Sequence, residues 1–443
     1  MRQALKVKYL VDFNLPPPHV LENAEIIVEG NTILEIGKGL DLSECEVSEF
    51  PHHVVIPGLI NTHSHAAMTL FRGFADDIPL DKWLNENIWP KEAKLNEEMV
   101  EIGARLAAVE LIKSGTTTMN SMYWYPDGEL QAFSETGVRL LAGPPIISGL
   151  NSLESNTYLF DKWHGKTDDL VRVALNPHAP YTVTGEEYQK IHEFKESYNQ
   201  KSSIPILVHT HLAESRIEMD MIREFGKKNN TSINESSPTQ YLNQLGVLDN
   251  DFIAAHVIEC DQQDLNILKQ NNVGVAVNPV SNMKLGNGLP KLKEMYDLGL
   301  KIGIGTDGPA SNNSLDLFET MKMAGLTQKS IHGDPSILPA ASILRMATKG
   351  GAEVLGWKGI GEIKAGSKAD VAILDLNQPH LSPIINLNSV ISHIVYSARG
   401  GDVSDVMING RWKMRDRKIL GVDVVQLMDN FQNITFDLLN TNG

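Results

Sequence analysis

His63-Ser64-His65 stands just past the apolar run Val54-Val55-Ile56-Pro57-Gly58-Leu59-Ile60-Asn61-Thr62. Residues two apart in an extended chain face the same side, so the two imidazoles can converge on one point. A second pair, His209-Thr210-His211, closes another apolar run, and Glu214 follows shortly after. His256 lies near the end of a third, in Phe252-Ile253-Ala254-Ala255-His256. Asp307 ends the segment Lys301-Ile302-Gly303-Ile304-Gly305-Thr306-Asp307. Each group alone has an ordinary explanation: a packed histidine, a solvated glutamate, or an aspartate capping a turn. Together they put an imidazole or a carboxylate at the end of four separate apolar runs. Three histidines and one aspartate make a good site for a borderline divalent metal. Such an ion lowers the pKa of bound water from about 15.7 to about 7, which is the chemistry of hydrolysis. Glu214, His256 and Asp307 are then available to take and give protons.

These residues need a scaffold that brings strand ends together. Short β-rich runs cover 54–61, 115–120, 138–143, 171–177, 204–211, 252–258, 273–278 and 301–305. The stretches between them have helical periodicity or helical length. Eight β/α units over this span predict a (β/α)8 TIM barrel, whose active sites sit at the C-terminal ends of the strands. An open doubly wound sheet is the alternative on count alone.

Both chain ends read differently. Residues 24–28 and 32–36 flank Glu29-Gly30-Asn31, a hairpin signal. Towards the C-terminus, β-type runs at 371–376, 390–396 and 403–408 precede Asn409-Gly410, a strong two-residue turn. The expected architecture is therefore α/β: a small β-sandwich formed from both termini (1–56 and 361–443), with the barrel (57–360) inserted between them.

Composition sets outer bounds. The 443 residues are 42% hydrophobic and 21% charged, ordinary for a globular protein. The net charge of −16 argues against a nucleic-acid binder, which needs a basic face. No apolar run approaches the roughly 20 residues of a membrane span. The opening segment lacks the pattern of a signal peptide. Two cysteines, Cys45 and Cys260, exclude a disulfide framework and lead to the expectation of a reducing cytoplasm. A homodimer is the base-rate expectation for a soluble enzyme.

The set Pro57-Gly58-Leu59-Ile60-Asn61-Thr62-His63-Ser64-His65, His211, His256 and Gly305-Thr306-Asp307 resembles the amidohydrolase superfamily. Gly366-Ser367-Lys368-Ala369-Asp370 is similar to its C-terminal return strand. Two-metal members carry a bridging lysine at strand four; here Leu175-Asn176-Pro177-His178 has none, which implies one ion. A closer resemblance is to the branch that deaminates 5′-methylthioadenosine and S-adenosylhomocysteine. It is carried by Ala66–Asp77, Pro79-Leu80-Asp81-Lys82-Trp83-Leu84 and Ile88-Trp89-Pro90-Lys91-Glu92-Ala93.

The resemblance implies that His63, His65, His211 and Asp307 hold one divalent ion, zinc by expectation, although iron or manganese would suit the same donors. It implies that Glu92 accepts the ribose hydroxyls and that His178 contacts the nucleoside. In the expected reaction Asp307, assisted by His256, takes a proton from water. Hydroxide attacks C6 of the adenine, Glu214 protonates N1, and ammonia leaves. His209 is expected to support its neighbours. Between Leu140 and Val171, where an arginine clamp for an amino-acid carboxylate is expected, there is no arginine, which favours methylthioadenosine. Rival readings are a triazine, guanine or pterin hydrolase on the same scaffold, which has no ribose for Glu92, and a non-catalytic scaffold protein, which would have lost ligands.

Overall fold

The computed structural model describes residues 2–78 and 82–440; Pro79, Leu80 and Asp81 of the segment named above lie outside the described residues. Four strands open the chain: β1 (Arg2–Val11), β2 (Val20–Glu29), β3 (Thr32–Gly37) and β4 (Cys45–Pro57). Six follow through the first half of the middle: β5 (Leu59–Ser64), β6 (Thr116–Met122), β7 (Arg139–Gly143), β8 (Pro145–Ile146), β9 (Val171–Val173) and β10 (Asn176–Pro177). The second half has β11 (Val208–Leu212), β12 (Phe252–His256), β13 (Gly274–Val277) and β14 (Lys301–Ile304). The chain then adds β15 (Val371–Asp375), β16 (Val403–Ile408), β17 (Arg411–Arg415) and β18 (Lys418–Ile419).

Both termini share one eight-stranded sheet in the order β18-β17-β16-β15-β4-β1-β2-β3. β4 and β15 pair antiparallel, Val55 opposite Ile373, which joins the two ends of the sequence. The turn at Asn409-Gly410 has φ of +52° and +71°, the left-handed pair that a twisted two-residue hairpin demands.

The middle holds two parallel four-stranded sheets, β5-β6-β7-β9 and β11-β12-β13-β14. Backbone bonds join them along both edges. On one side Leu175 N donates to Leu207 O and His209 N donates to Leu175 O, each at 2.9 Å. On the other, Asp307 N donates to His63 O at 3.0 Å. Inside, Ile60, Leu141, Ala174, Leu207, Ile253 and Ala276 meet in one buried cluster with Trp357. This packed plug leaves the opposite, C-terminal ends of the strands free for polar chemistry.

A buried ion pair ties the middle to the terminal sheet. The Arg139 guanidinium donates through Nε to Asp370 Oδ2 at 2.5 Å and through Nη2 to Asp370 Oδ1 at 3.1 Å. Nη2 also reaches Asn409 Oδ1 at 2.9 Å.

Three sequence expectations are corrected. The apolar run 54–61 is two strands, not one. Its first part belongs to β4 of the terminal sheet, Gly58 breaks it, and β5 begins at Leu59. Residues 390–396 are not a strand but part of the helix Leu387–Tyr396. Asn386 caps that helix on Ser389 N, and Val390, Ile391, Ile394 and Val395 form its buried stripe. Tertiary burial overrides the β preference of those branched side chains. The C-terminal region also carries a helix, Val424–Asn440, beside its strands. Among the described residues no helix is long and apolar enough to cross a membrane.

Candidate active site

The clustered imidazoles and the aspartate sit on or just past parallel strands, toward their C-terminal ends. His63 is the next-to-last residue of β5 and His65 follows the strand; His209 and His211 are in β11, and His256 is the last residue of β12. Asp307 lies three residues past β14. The backbone is bent to do this. Ala213, His256 and Asp307 have φ of +52°, +75° and +63°. Left-handed conformations at such residues cost about 1–3 kcal/mol each and persist at sites that need a side chain aimed. Close approach helps as well. A Cβ on Gly305 would lie 2.4 Å from Asn278 Oδ1 and 2.8 Å from His63 O, so only glycine lets β14 come this near β5.

The imidazoles are held from behind. His65 Nδ1 donates to Met122 O at 2.6 Å and His211 Nδ1 donates to His178 O at 2.7 Å. His256 Nδ1 bonds Asn282 Oδ1 at 2.9 Å, and His63 Nδ1 meets His209 Nε2 at 2.8 Å. Each ring therefore turns Nε2 toward a common centre. There Asp307 Oδ1 lies 3.3 Å from His63 Nε2 and 3.2 Å from His65 Nε2, and the Nε2 atoms of His65 and His211 are 3.3 Å apart. His63 Nε2 is buried and has no hydrogen-bond partner. Asp307 is braced by Ser281 Oγ and Ser311 Oγ, which donate to Oδ2 at 2.6 and 2.9 Å, and by Gly308 N, which donates to Oδ1 at 2.8 Å.

This donor set fits a divalent ion. Bonds of about 2.0–2.1 Å at tetrahedral angles separate ligand atoms by about 3.3 Å, the spacing seen here. The same residues fall into two overlapping groups, His63 with His65 and Asp307, and His63 with His211 and His256. Their protonation suits the role. Burial lowers His63 to about 3, and burial with neighbouring imidazoles holds His211 and His209 well below the usual range. Neutral imidazoles offer lone pairs at physiological pH. Despite burial, Asp307 is held well below the usual carboxylate range by His63 and His65. His65 is raised in turn, because Asp307 outweighs its burial.

A cavity of about 840 Å³ opens over this centre. His65, His178, His211, His256, Asp307, Glu214 and Glu92 all line it. Glu214 Oε2 stands 3.8 Å from His256 Nε2, and Asn287 Nδ2 donates to Glu214 Oε1 at 3.1 Å. Burial raises the Glu214 carboxyl, the direction an acid needs in order to hold a proton. Burial also raises Glu92, against the opposing influence of the neighbouring Tyr123, His65 and Trp124. His178 packs its ring 4.9 Å from that of His211, bonds Thr182 Oγ1 at 3.0 Å, and is lowered to about 4 by burial.

Of the eight residues given a metal, catalytic or substrate role in the sequence reading, seven line this cavity, and His63 packs its ring against those of His65, His211 and His256; His209, behind His63, does not line it. The sequence reading missed others. Glu218 accepts the backbone N–H groups of Ala213 and Glu214 at 2.9 and 2.7 Å, and so fixes the turn that presents Glu214. Asn282 orients His256 and Ser311 braces Asp307. The only signal for Glu218 is its place four residues after Glu214 as a short helix begins.

Comparison with known proteins follows the geometry. Residues 54–413 match the family model described as the amidohydrolase family. The chain is 38% identical over 425 residues to a 5-methylthioadenosine/S-adenosylhomocysteine deaminase of Dictyoglomus turgidum, covering 95% of this chain and 96% of that one. It is 38% identical over 426 residues to a 5′-deoxyadenosine deaminase of Methanosarcina barkeri, covering 95% and 94%. Among solved structures it resembles an adenosine deaminase from Xanthomonas campestris with bound zinc, with TM-score 0.89, 30% identity and 98% of each chain covered.

Proposed function

The chain belongs to the amidohydrolase family, and from that premise we propose that it removes the amino group from the adenine ring of a 5′-substituted nucleoside such as 5′-methylthioadenosine or S-adenosylhomocysteine, by hydrolysis. One observation carries the reading. A single cavity joins the histidine–aspartate centre and Glu214 to Glu92, a further, partly buried carboxylate. A ribose diol offers two adjacent hydroxyl donors, and a carboxylate is their natural acceptor. The architecture that fits is a (β/α)8 barrel over 57–360, with a β-sandwich built from 1–56 and 361–443.

His63, His65, His211 and Asp307 would hold one divalent ion, zinc on its donor set, which would supply the Lewis acidity that makes water a nucleophile near neutral pH. Asp307, whose Oδ1 faces His63 and His65, accepts a proton of the attacking water. His256, bonded to Asn282 and near Glu214, assists the transfer. Glu214 donates its proton to N1 of the adenine, so that the ring accepts electrons as water oxygen bonds to C6. The C6–N bond then breaks, the amino nitrogen departs as ammonia after gaining a proton, and the hypoxanthine nucleoside remains. His178 lies along the cavity wall against the nucleoside, and Glu92 orients the ribose. The test is to mix the metal-loaded protein with 5′-methylthioadenosine and follow the ultraviolet change from adenine to hypoxanthine. One ammonia per nucleoside is expected. An unchanged spectrum with the ion bound overturns the reading.

A further inference from the structure

Resting on that deaminase reading, we propose that the outer half of the cavity is an apolar receptor for 5′-thioether groups larger than methyl, and that it disfavours 5′-groups bearing a carboxylate. The mouth is formed by Trp89, Tyr125, Leu150 and Tyr158, which remain 41%, 44%, 70% and 47% exposed. Large apolar side chains grouped at the rim of a cavity mark a binding surface, whereas scattered ones need no explanation. At about 840 Å³ the cavity lies high in the range of about 300–1,000 Å³ usual for small-molecule sites, more than a nucleoside with one methyl group fills.

The charges point the same way. Apart from imidazoles and phenols, the ionisable side chains among the described lining residues are all carboxylates: Glu92, Glu97, Asp127, Glu214 and Asp307. No arginine or lysine is among them. Lys162, at the rim, is already engaged. Its Nζ donates to Asp127 Oδ1 at 2.6 Å, where Trp163 Nε1 also donates at 2.6 Å, while the Tyr158 hydroxyl donates to Oδ2 at 2.7 Å. The ammonium of an amino-acid group entering here meets an Asp127 already engaged by Lys162, Trp163 and Tyr158, while its carboxylate gains no guanidinium and faces like charge. The part of the wall at 145–151 is fixed by its own hydrogen bonds. Ile147 N donates to Asn151 O at 3.0 Å and Asn151 Nδ2 donates to Pro145 O at 2.8 Å, which sets Leu150 at the tip of a braced loop.

Each methylene that the receptor buries is worth about fourfold in kcat/KM. The experiment compares 5′-methylthioadenosine, 5′-butylthioadenosine and S-adenosylhomocysteine on the metal-loaded protein and on Leu150→Arg. The butylthio compound is expected to match or exceed the methylthio compound, and S-adenosylhomocysteine to fall at least tenfold below it. Leu150→Arg, at an exposed tip where folding is not at stake, should raise the S-adenosylhomocysteine-to-methylthioadenosine ratio at least tenfold. A butylthio value more than tenfold below methylthio, S-adenosylhomocysteine as the better substrate, or an unmoved ratio in Leu150→Arg overturns the receptor while leaving the deaminase reading intact. Loss of turnover on every nucleoside would instead remove the deaminase reading, and the receptor with it.

Discussion

Removing the metal should expose the cost of burying so many neutral imidazoles. His63 and His178 are lowered to about 3 and about 4 by burial, and His209 and His211 are also held well below their ordinary range. All four stay unprotonated in the folded, metal-free protein at mildly acidic pH. The unfolded chain takes up protons near the ordinary value of about 6.5. Below that point the unfolded state binds more protons, so stability falls as pH falls. From pH 7.5 to 5.5 the loss is roughly 1.4 kcal/mol per imidazole, or about 5–6 kcal/mol for four. His65, raised by Asp307 despite its burial, acts in the opposite sense: its contribution is full at low pH and is lost as pH rises through its folded value. Glu129 and Glu218, raised by burial to about 7 and about 8, act in that sense too: the folded protein takes up their protons over this window, a gain of roughly 4–5 kcal/mol for the pair that offsets most of the loss. The assay is urea unfolding, at the two pH values, of the chelator-treated protein and of its Glu129→Gln/Glu218→Gln variant. The midpoint of the variant should drop on acidification, and further than that of the unsubstituted stripped protein. A variant midpoint that holds or rises at pH 5.5 would refute the reasoning.

Glu214→Gln should keep its full metal content and lose about 10²–10⁴ in kcat, as the loss of a general acid does; near-normal turnover would take Glu214 out of that role. His211→Ala should lose both metal and activity, and elemental analysis showing full occupancy would contradict the ligand set. Arg139→Met leaves Asp370 as an uncompensated buried charge, so it should lower unfolding stability by about 3–5 kcal/mol in denaturant titration. Its kcat should stay near normal, because Arg139 touches nothing in the cavity.

Much of the centre is legible in the sequence because its geometry is local. His63 and His65 share a side by period-two spacing, and His211, His256 and Asp307 each follow an apolar run that becomes a strand. Glu92 is not legible that way. It sits in a short helical stretch where an acidic residue is ordinarily solvated, and only family resemblance singles it out. Glu218 was missed for the same reason, since its work is done through backbone N–H groups that only the folded turn brings to it. The boundary at Gly58 was hidden because β4 and β5 are both buried there, so the apolar run is continuous across two different sheets. Val390–Val395 misled because branched side chains read as strand, while the capping Asn386 and the helical spacing of the buried positions decided otherwise.

The central claim is that water replaces the amino group at C6 of an adenine nucleoside. The most direct measurement is a turnover of 5′-methylthioadenosine in heavy-oxygen water, with mass analysis of the nucleoside product and assay of the ammonia. The account predicts a hypoxanthine product carrying one solvent oxygen, with one ammonia released for each. A product without solvent oxygen, or nucleoside consumed without release of ammonia, would contradict it.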